Sequence, residues 1–247
     1  MRIWLDRLAV VVVLLLLWQG VHWLSPFALA SPGATAAKLA ALLQSPGFWP
    51  HVTETGKAFL YALLIAVAAG LGAGLLIGIS RRASEVMDPL LASIYGVPKV
   101  TLYPLILLIF GLGLPAKVAF GALHSFFPIA LFTLNGVRKL PPVYARAARV
   151  MRLTRAQTIA TIVLPAALPE IVAGLRIGVS LTLLGVLIGE MFASQRGLGF
   201  LIMNAIGQHD TETMLAVTTL LAIVAVAVNI VLLRLDHRLH ERATVGA

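Results

Sequence analysis

"ARAARVMRLTRAQTIATIVLPAALPEIVAGLRIG", residues 145–178, is a basic interruption in an apolar chain. Arginines stand at 146, 149, 152 and 155, and again at 176, and the segments on both sides are long and apolar. Of the 247 residues, 60% are hydrophobic and 12% charged, with a mean hydropathy of +0.96. A soluble domain is about 45–50% apolar and about 25% charged. Several runs exceed the roughly 18 residues that mark a bilayer-spanning helix, and the period-2 alternation of a membrane barrel is absent. The composition therefore specifies an all-α polytopic membrane protein, with the basic stretch as a loop between spans.

Working outward from that loop, the sequence reads as six transmembrane helices, at about Leu8–Leu24, Ala58–Ser80, Pro89–Leu112 (interrupted near Pro98), Ala116–Val137, Ile171–Ala193 and Met214–Leu235. "RRASEVMD" reads as a turn, and a short helix is expected near Ala34–Leu43. The domain organisation follows: an N-terminal anchor at 1–30, an outer connection at 31–57, a transmembrane domain at 58–236 that includes the loop 138–169, and a charged tail at 237–247. The basic start and Ala28-x-Ala30 also resemble a signal peptide. The apolar stretch is longer than such peptides use and contains Gln19 and His22, so a retained anchor is the reading adopted.

Lysine and arginine set the orientation. With the N-terminus inside, Arg2, Arg7, Arg81, Arg82, Arg138, Lys139, Arg146, Arg149, Arg152, Arg155, Arg176, Arg234, Arg238 and Arg242 face the cytoplasm. Only Lys38, Lys57, Lys117 and Arg196 face out, and Lys99 falls within the interrupted third span. Both termini are then cytoplasmic, and so is the basic loop. The formal charge of +9 is explained by this bias rather than by nucleic-acid binding, for which basic residues interleaved with exposed aromatics are lacking.

Catalytic and metal chemistry find little support. There is no cysteine, which removes disulfides, thiolate metal sites and cysteine nucleophiles. The six histidines have no ligand spacing on a helix. Gly70, Gly74 and Gly78 follow small-xxx-small spacing, which brings helices close. They do not form a P-loop, which needs a Gly-Lys-Ser/Thr ending after a strand. ATP-driven transport would need another subunit to hydrolyse the nucleotide. The polar residues inside spans are the candidates for a translocation path: His124, Asn135 and Glu190. A buried carboxylate costs on the order of 3 kcal/mol in lipid, so Glu190 needs a partner, a cavity or the outer interface.

Local physics makes the loop two short helices along the membrane surface. Pro141 and Pro142 suit a first helical turn. Alanine and arginine sustain the helix, and Thr154 caps a second one, "RAQTIATIVL". Pro165 and Pro169 are expected to stop or kink the chain before the fifth span.

This segment resembles the cytoplasmic coupling loop of binding-protein-dependent ABC importer permeases, whose pattern is Glu-Ala-Ala, three residues, Gly, nine residues, Ile-x-Leu-Pro. Ala147 and Ala148 match the alanines, and Ile162, Leu164 and Pro165 match the ending. "LLASIYGVPKVTLYPLILLIFGLG", "SFFPIALFTLNGV", "LPAALPEIVAGLRIG" and "GEMFASQRGLG" are similar to the sulfonate, taurine and nitrate permease subfamily, and the likeness spans about Ser31 to Leu235. Two positions depart: Arg146 replaces the family's glutamate and Arg152 its glycine.

The resemblance implies a type I importer (MetI-like) permease fold in the bacterial inner membrane, in a homodimer or pseudo-dimer with the substrate path at its interface. It implies two cytoplasmic ATPase subunits as partners, a periplasmic or lipid-anchored binding protein, and no cofactor. Coupling to the ATPase would be carried by Arg146, Ala147, Ala148, Arg149, Arg152, Thr154, Ile162, Leu164 and Pro165, so that a bulky acid at Ala148 uncouples hydrolysis from uptake. The implied cargo is a small anion such as a sulfonate, taurine or nitrate. The alternatives are an uncharged vitamin precursor such as a thiamine pyrimidine, or an ATPase-independent carrier or scaffold.

Overall fold

The computed structural model describes residues 2–245, together with their side chains apart from residues 2–5, 7, 8, 193 and 235–245. The side chains of Arg2, Arg7 and the tail expected at 237–247 lie outside that set.

Small residues at every fourth position determine how the bundle packs. On α3 (Trp49–Ile79), Ala58, Ala62, Ala66, Gly70 and Gly74 are buried along one face. They meet α6 (Leu114–Arg138), the central helix, which carries the longest series of buried side chains. A Cβ built on Gly70 would lie 2.8 Å from Ile129 Cγ2, one on Gly74 2.5 Å from Thr133 Cβ, and one on Gly78 2.8 Å from Val137 Cβ. On the opposite side, α9 (Leu164–Ala193) approaches as closely: a Cβ on Gly174 would meet Phe132 Cβ at 2.5 Å, and one on Gly178 would meet Ile129 at 2.8 Å. The i+4 rows of all three helices therefore interlock. With no hydrophobic force between helices in lipid, this close van der Waals contact holds them together. The glycine face expected from the sequence is the α3–α6 contact.

Among the described residues, four helices are long and apolar enough to cross a membrane: Trp49–Ile79, Leu114–Arg138, Arg155–Phe192 and Thr211–Arg234. A bent pair, α4 (Arg81–Tyr95) followed by a 3₁₀ turn at Lys99–Leu102 and α5 (Tyr103–Phe110), angled by 84°, is long and apolar enough only when its two arms are taken together. The break falls at Pro98, as expected, because proline lacks an amide and biases its predecessor away from helical geometry. The N-terminal helix α1 (Arg2–Leu24) offers a shorter apolar stretch, Ala9–Leu24, among the described residues. Against the expected six spans, the third of them interrupted near Pro98, the described residues hold four continuous helices, one bent pair and this shorter stretch.

Several boundaries also differ from expectation. "RRASEVMD" is not a turn but the start of α4, where the Ser80 hydroxyl accepts from Ala83 N at 3.3 Å and Arg81 bonds Glu85 one turn on. The span expected from Ala58 begins nine residues earlier, because Pro50 lies in the first turn of α3. The largest difference follows the basic loop. Pro165 and Pro169 do not end the helix that starts at Arg155. α8 (Arg155–Thr158), a π turn at Ile159–Val163 and α9 form one run, in which Leu164 N donates to Ile159 O. The wider π turn gives the Pro165 ring the room that an α-turn denies it.

At the end of the bundle opposite the basic loop, α2 (Pro32–Gln44) packs on α11 (Thr211–Val245), and α10 (Leu198–Gly207) fills the corner between α9 and α11. Asp210 fastens this corner. Its carboxylate accepts from Thr213 N at 2.9 Å and Thr213 Oγ1 at 2.6 Å, and Lys38 Nζ lies 3.5 Å away. Partial burial opposes ionisation, but the Thr213 bonds and the Lys38 charge outweigh it and hold the carboxyl below its usual range. A depressed carboxylate stabilises the fold above its unfolded pKa of about 3.9, and that contribution is lost as pH falls through the folded value. Asp210→Ala is expected to cost about 1 kcal/mol at neutral pH, the usual value of an N-cap. The gap in melting temperature from the parent should close below about pH 4. A gap that persists in acid would show that the carboxylate charge is not what Asp210 contributes.

Candidate functional site

The basic loop is built as a hairpin with its own internal bonds. α7 (Pro142–Val150) starts on Pro142 and ends in a Schellman turn, where Leu153 N donates to Ala148 O at 3.0 Å and Arg152 N to Arg149 O at 3.1 Å. The residue that must turn left-handed there is Arg152, at φ +50°. Arginine therefore adopts the conformation for which glycine is favoured, at a cost of about 1–2 kcal/mol. Thr154 then closes a reciprocal capping box, accepting from Gln157 N while Gln157 Oε1 accepts from Thr154 N. Lys139–Glu170 at 3.0 Å clamps the base of the loop, and Arg138–Asp88 at 2.7 Å ties that base to α4.

Within the hairpin, α7 folds back on the π turn and Ala148 is buried, at 5% exposure. Arg146, Ala147, Arg149, Arg152, Thr154, Leu164 and Pro165 are exposed, and Ile162 is half-buried. At the tip, Val150 is 84% and Met151 66% exposed, an apolar pair flanked by arginines. A rigid, basic, partly apolar tip can occupy a groove on another protein.

A second polar cluster lies at the other end of α9. Glu190 is fully buried and accepts from Thr55 Oγ1 at 2.8 Å and Gly199 N at 3.0 Å. Lys117 Nζ lies 3.8 Å from Glu190, and it donates to Glu54 Oε1 and to Arg196 O, both at 3.0 Å. Thr55 also accepts from Leu198 N, and Gly197 N donates to His51 Nδ1. Gly197 runs at φ +128° directly over the Glu190 carboxylate, leaving no room for a side chain. α3, α6 and α9 thus jointly hold the short turn before α10. Beside it a cavity of about 530 Å³ is lined by Glu54, Lys117, Ser194, Gln195 and Arg196. Sequence reasoning singled out Glu190 but not Thr55, Glu54 or Lys117. Glu54 and Thr55 are neighbours on α3 and Lys117 is on α6, so no local spacing links them to Glu190 on α9.

The other two path candidates lie on α6. His124 is buried, with Nδ1 3.0 Å from Phe120 O and its ring edge-on to Phe120. Asn135 is half-buried near the end of α6 that leads into the basic loop. Neither belongs to the Glu190 cluster. No group of three or more metal-ligating side chains occurs among the described residues.

Three comparisons bear on this geometry. Residues 66–245 match the family described as "Binding-protein-dependent transport system inner membrane component". The chain is 33% identical over 235 residues to the taurine transport system permease protein TauC of Escherichia coli, covering 92% of this chain and 86% of that one. It is 30% identical over 224 residues to the putative aliphatic sulfonates transport permease protein SsuC of Bacillus subtilis, covering 90% and 81%. Its fold is similar to a chain of the inward-facing MetNI methionine ABC transporter, with a TM-score of 0.68 at 20% identity over 79% of this chain and 99% of that one.

Proposed function

The chain belongs to the inner-membrane components of binding-protein-dependent transport systems, the permeases of ABC importers, and on that premise we propose that it imports a small sulfonate under the drive of a separate cytoplasmic ATPase. Two copies of the chain enclose the path. A periplasmic binding protein delivers the solute, and both termini face the cytoplasm. The sulfonate assignment is supported by the names of the taurine and aliphatic sulfonate relatives.

The observation that carries the coupling role is the unbroken run from Thr154 to Ala193. The capped hairpin continues through the π turn into a membrane-crossing helix. ATP binding draws the two ATPase subunits together, their grooves carry the hairpin tips with them, and α9 follows. A helix seated in a groove transmits this kind of rigid-body motion. Arg146 and Arg149, exposed on α7, select the particular ATPase, and Arg152 forms the turn that presents them. Ala148, Ile162, Leu164 and Pro165 keep the hairpin in shape.

Affinity purification of the tagged chain from its own host's membranes tests this. A P-loop ATPase is expected to co-purify and to be lost in the Val150→Asp/Met151→Asp variant, whose side chains are exposed. It should be kept in Arg152→Gly, which relieves a left-handed arginine and firms the turn by about 1 kcal/mol. Ala148→Glu also loses the ATPase, because a buried acid breaks the hairpin itself. Recovery of the chain alone, in a detergent that preserves other ABC complexes, would favour an ATPase-independent carrier. ATPase retained by the Val150/Met151 variant would move the docking surface elsewhere.

A further inference from the structure

The elbow between α4 and α5 places a cation inside the membrane without a carboxylate. Lys99 is 9% exposed. Its ammonium donates to Tyr95 O at 2.7 Å and lies 4.8 Å from the Tyr95 ring centroid and 5.4 Å from that of Phe127. An ammonium has three donors, so one carbonyl and two ring faces leave donor capacity unused. The other largely buried lysine, Lys117, has an acidic partner in Glu54. No described carboxylate lies within ion-pairing distance of Lys99.

Two physical rules locate the open side of this cation. Irregular backbone at membrane depth persists only where protein covers it or where it lines a watery cavity. Intramembrane charges face the bundle interior or such a cavity. The elbow has both features at one point. Its outer side presents Tyr95, Val97 and Val100, each at least 36% exposed. Phe127 comes from α6, so one cation and two aromatic rings from separate elements meet there with no described acid among them.

We propose that this elbow is an anion station: Lys99 is the counter-charge for a small singly charged organic anion such as a sulfonate. The anionic head takes the free ammonium donors, and the Tyr95 and Phe127 rings wall its apolar tail. The station rests on the permease reading for its place in transport, but anion binding itself can be measured apart from it. The rival role is a structural staple, in which Lys99 only satisfies the Tyr95 carbonyl freed by the break.

The test uses the full chain in lipid nanodiscs with its lysines labelled biosynthetically with ¹⁵N at Nζ, which leaves each ammonium and its three donors intact. The Lys99 resonance is identified by its loss in Lys99→Arg. Ethanesulfonate, added at constant ionic strength, is expected to shift that resonance saturably. Ethanesulfonamide, its uncharged analogue, is expected to leave it unmoved. In unlabelled nanodiscs, Lys99→Gln should lose saturable binding of radiolabelled ethanesulfonate while still co-purifying with the ATPase, and Lys99→Arg should restore it. An unmoved resonance, or equal shifts with both compounds, would overturn the station and leave the staple. Loss of the ATPase from the parent preparation would count against the permease reading alone, since the ethanesulfonate shift is read independently.

Discussion

Gly74→Val is expected to prevent the folded chain from accumulating in the membrane, while Gly72→Val, two residues away, is expected to be silent. A Cβ at position 74 would lie 2.5 Å from Thr133 Cβ and 2.6 Å from Ala130 O, whereas one at 72 meets nothing within 4 Å. The obstruction at 74 is partly backbone, so no rotamer change relieves it. α3 must move off α6, and the packing of Gly70 and Gly78 goes with it. Overpacking costs about 1–3 kcal/mol where neighbours can yield; here the expected loss is at the top of that range or beyond. Membrane yield and melting temperature in detergent check it. Equal behaviour of the two variants would mean that α3 and α6 do not meet along this face.

Lys117→Met should be nearly as damaging. Lys117 is 1% exposed and serves Glu54, Glu190 and the Arg196 carbonyl together. Removing it strands a fully buried carboxylate beside a second acid, and breaking such a pair costs about 3–5 kcal/mol. The turn at Ser194–Gly197 should loosen first, visible as faster modification of a cysteine placed at Gln195. Because the cost comes from the stranded charge, adding Glu190→Gln should recover part of the lost stability. A double variant no better than the single one would locate the effect in packing rather than charge.

What could be read from the sequence was local. The proline pair at 141–142, the cap at Thr154, the glycine face on α3 and the break at Pro98 each depend on a few neighbouring residues, and the structure has all four. The failures are equally physical. Pro165 and Pro169 read as a stop or a kink because proline breaks an α-helical ladder; the run instead continues through a π turn, a non-local adjustment that the same residues do not announce. α10 is an apolar ten-residue helix hidden behind the glycines of "SQRGLGF", and sequence alone left it unassigned. The Glu190 cluster needs Thr55, Lys117 and Gly199 from three separate elements, which no spacing rule connects. The turn at Arg152 shows the converse. The sequence offers an arginine where a glycine suits best, and the backbone is left-handed all the same.

The unbroken Arg155–Phe192 run has a mechanical meaning. Thirty-eight residues make a rod of about 55 Å, with the hairpin at one end and the Glu190 cluster near the other. Its tightest contacts with α6, at Gly174, Gly178 and Gly185, lie between them. A rod held in its middle is a lever about a fulcrum. Under the proposed coupling, drawing the two hairpins of a dimer together would tip the far ends of the rods the opposite way, apart, and motion imposed at the hairpin would reach the turn before α10 with its direction reversed.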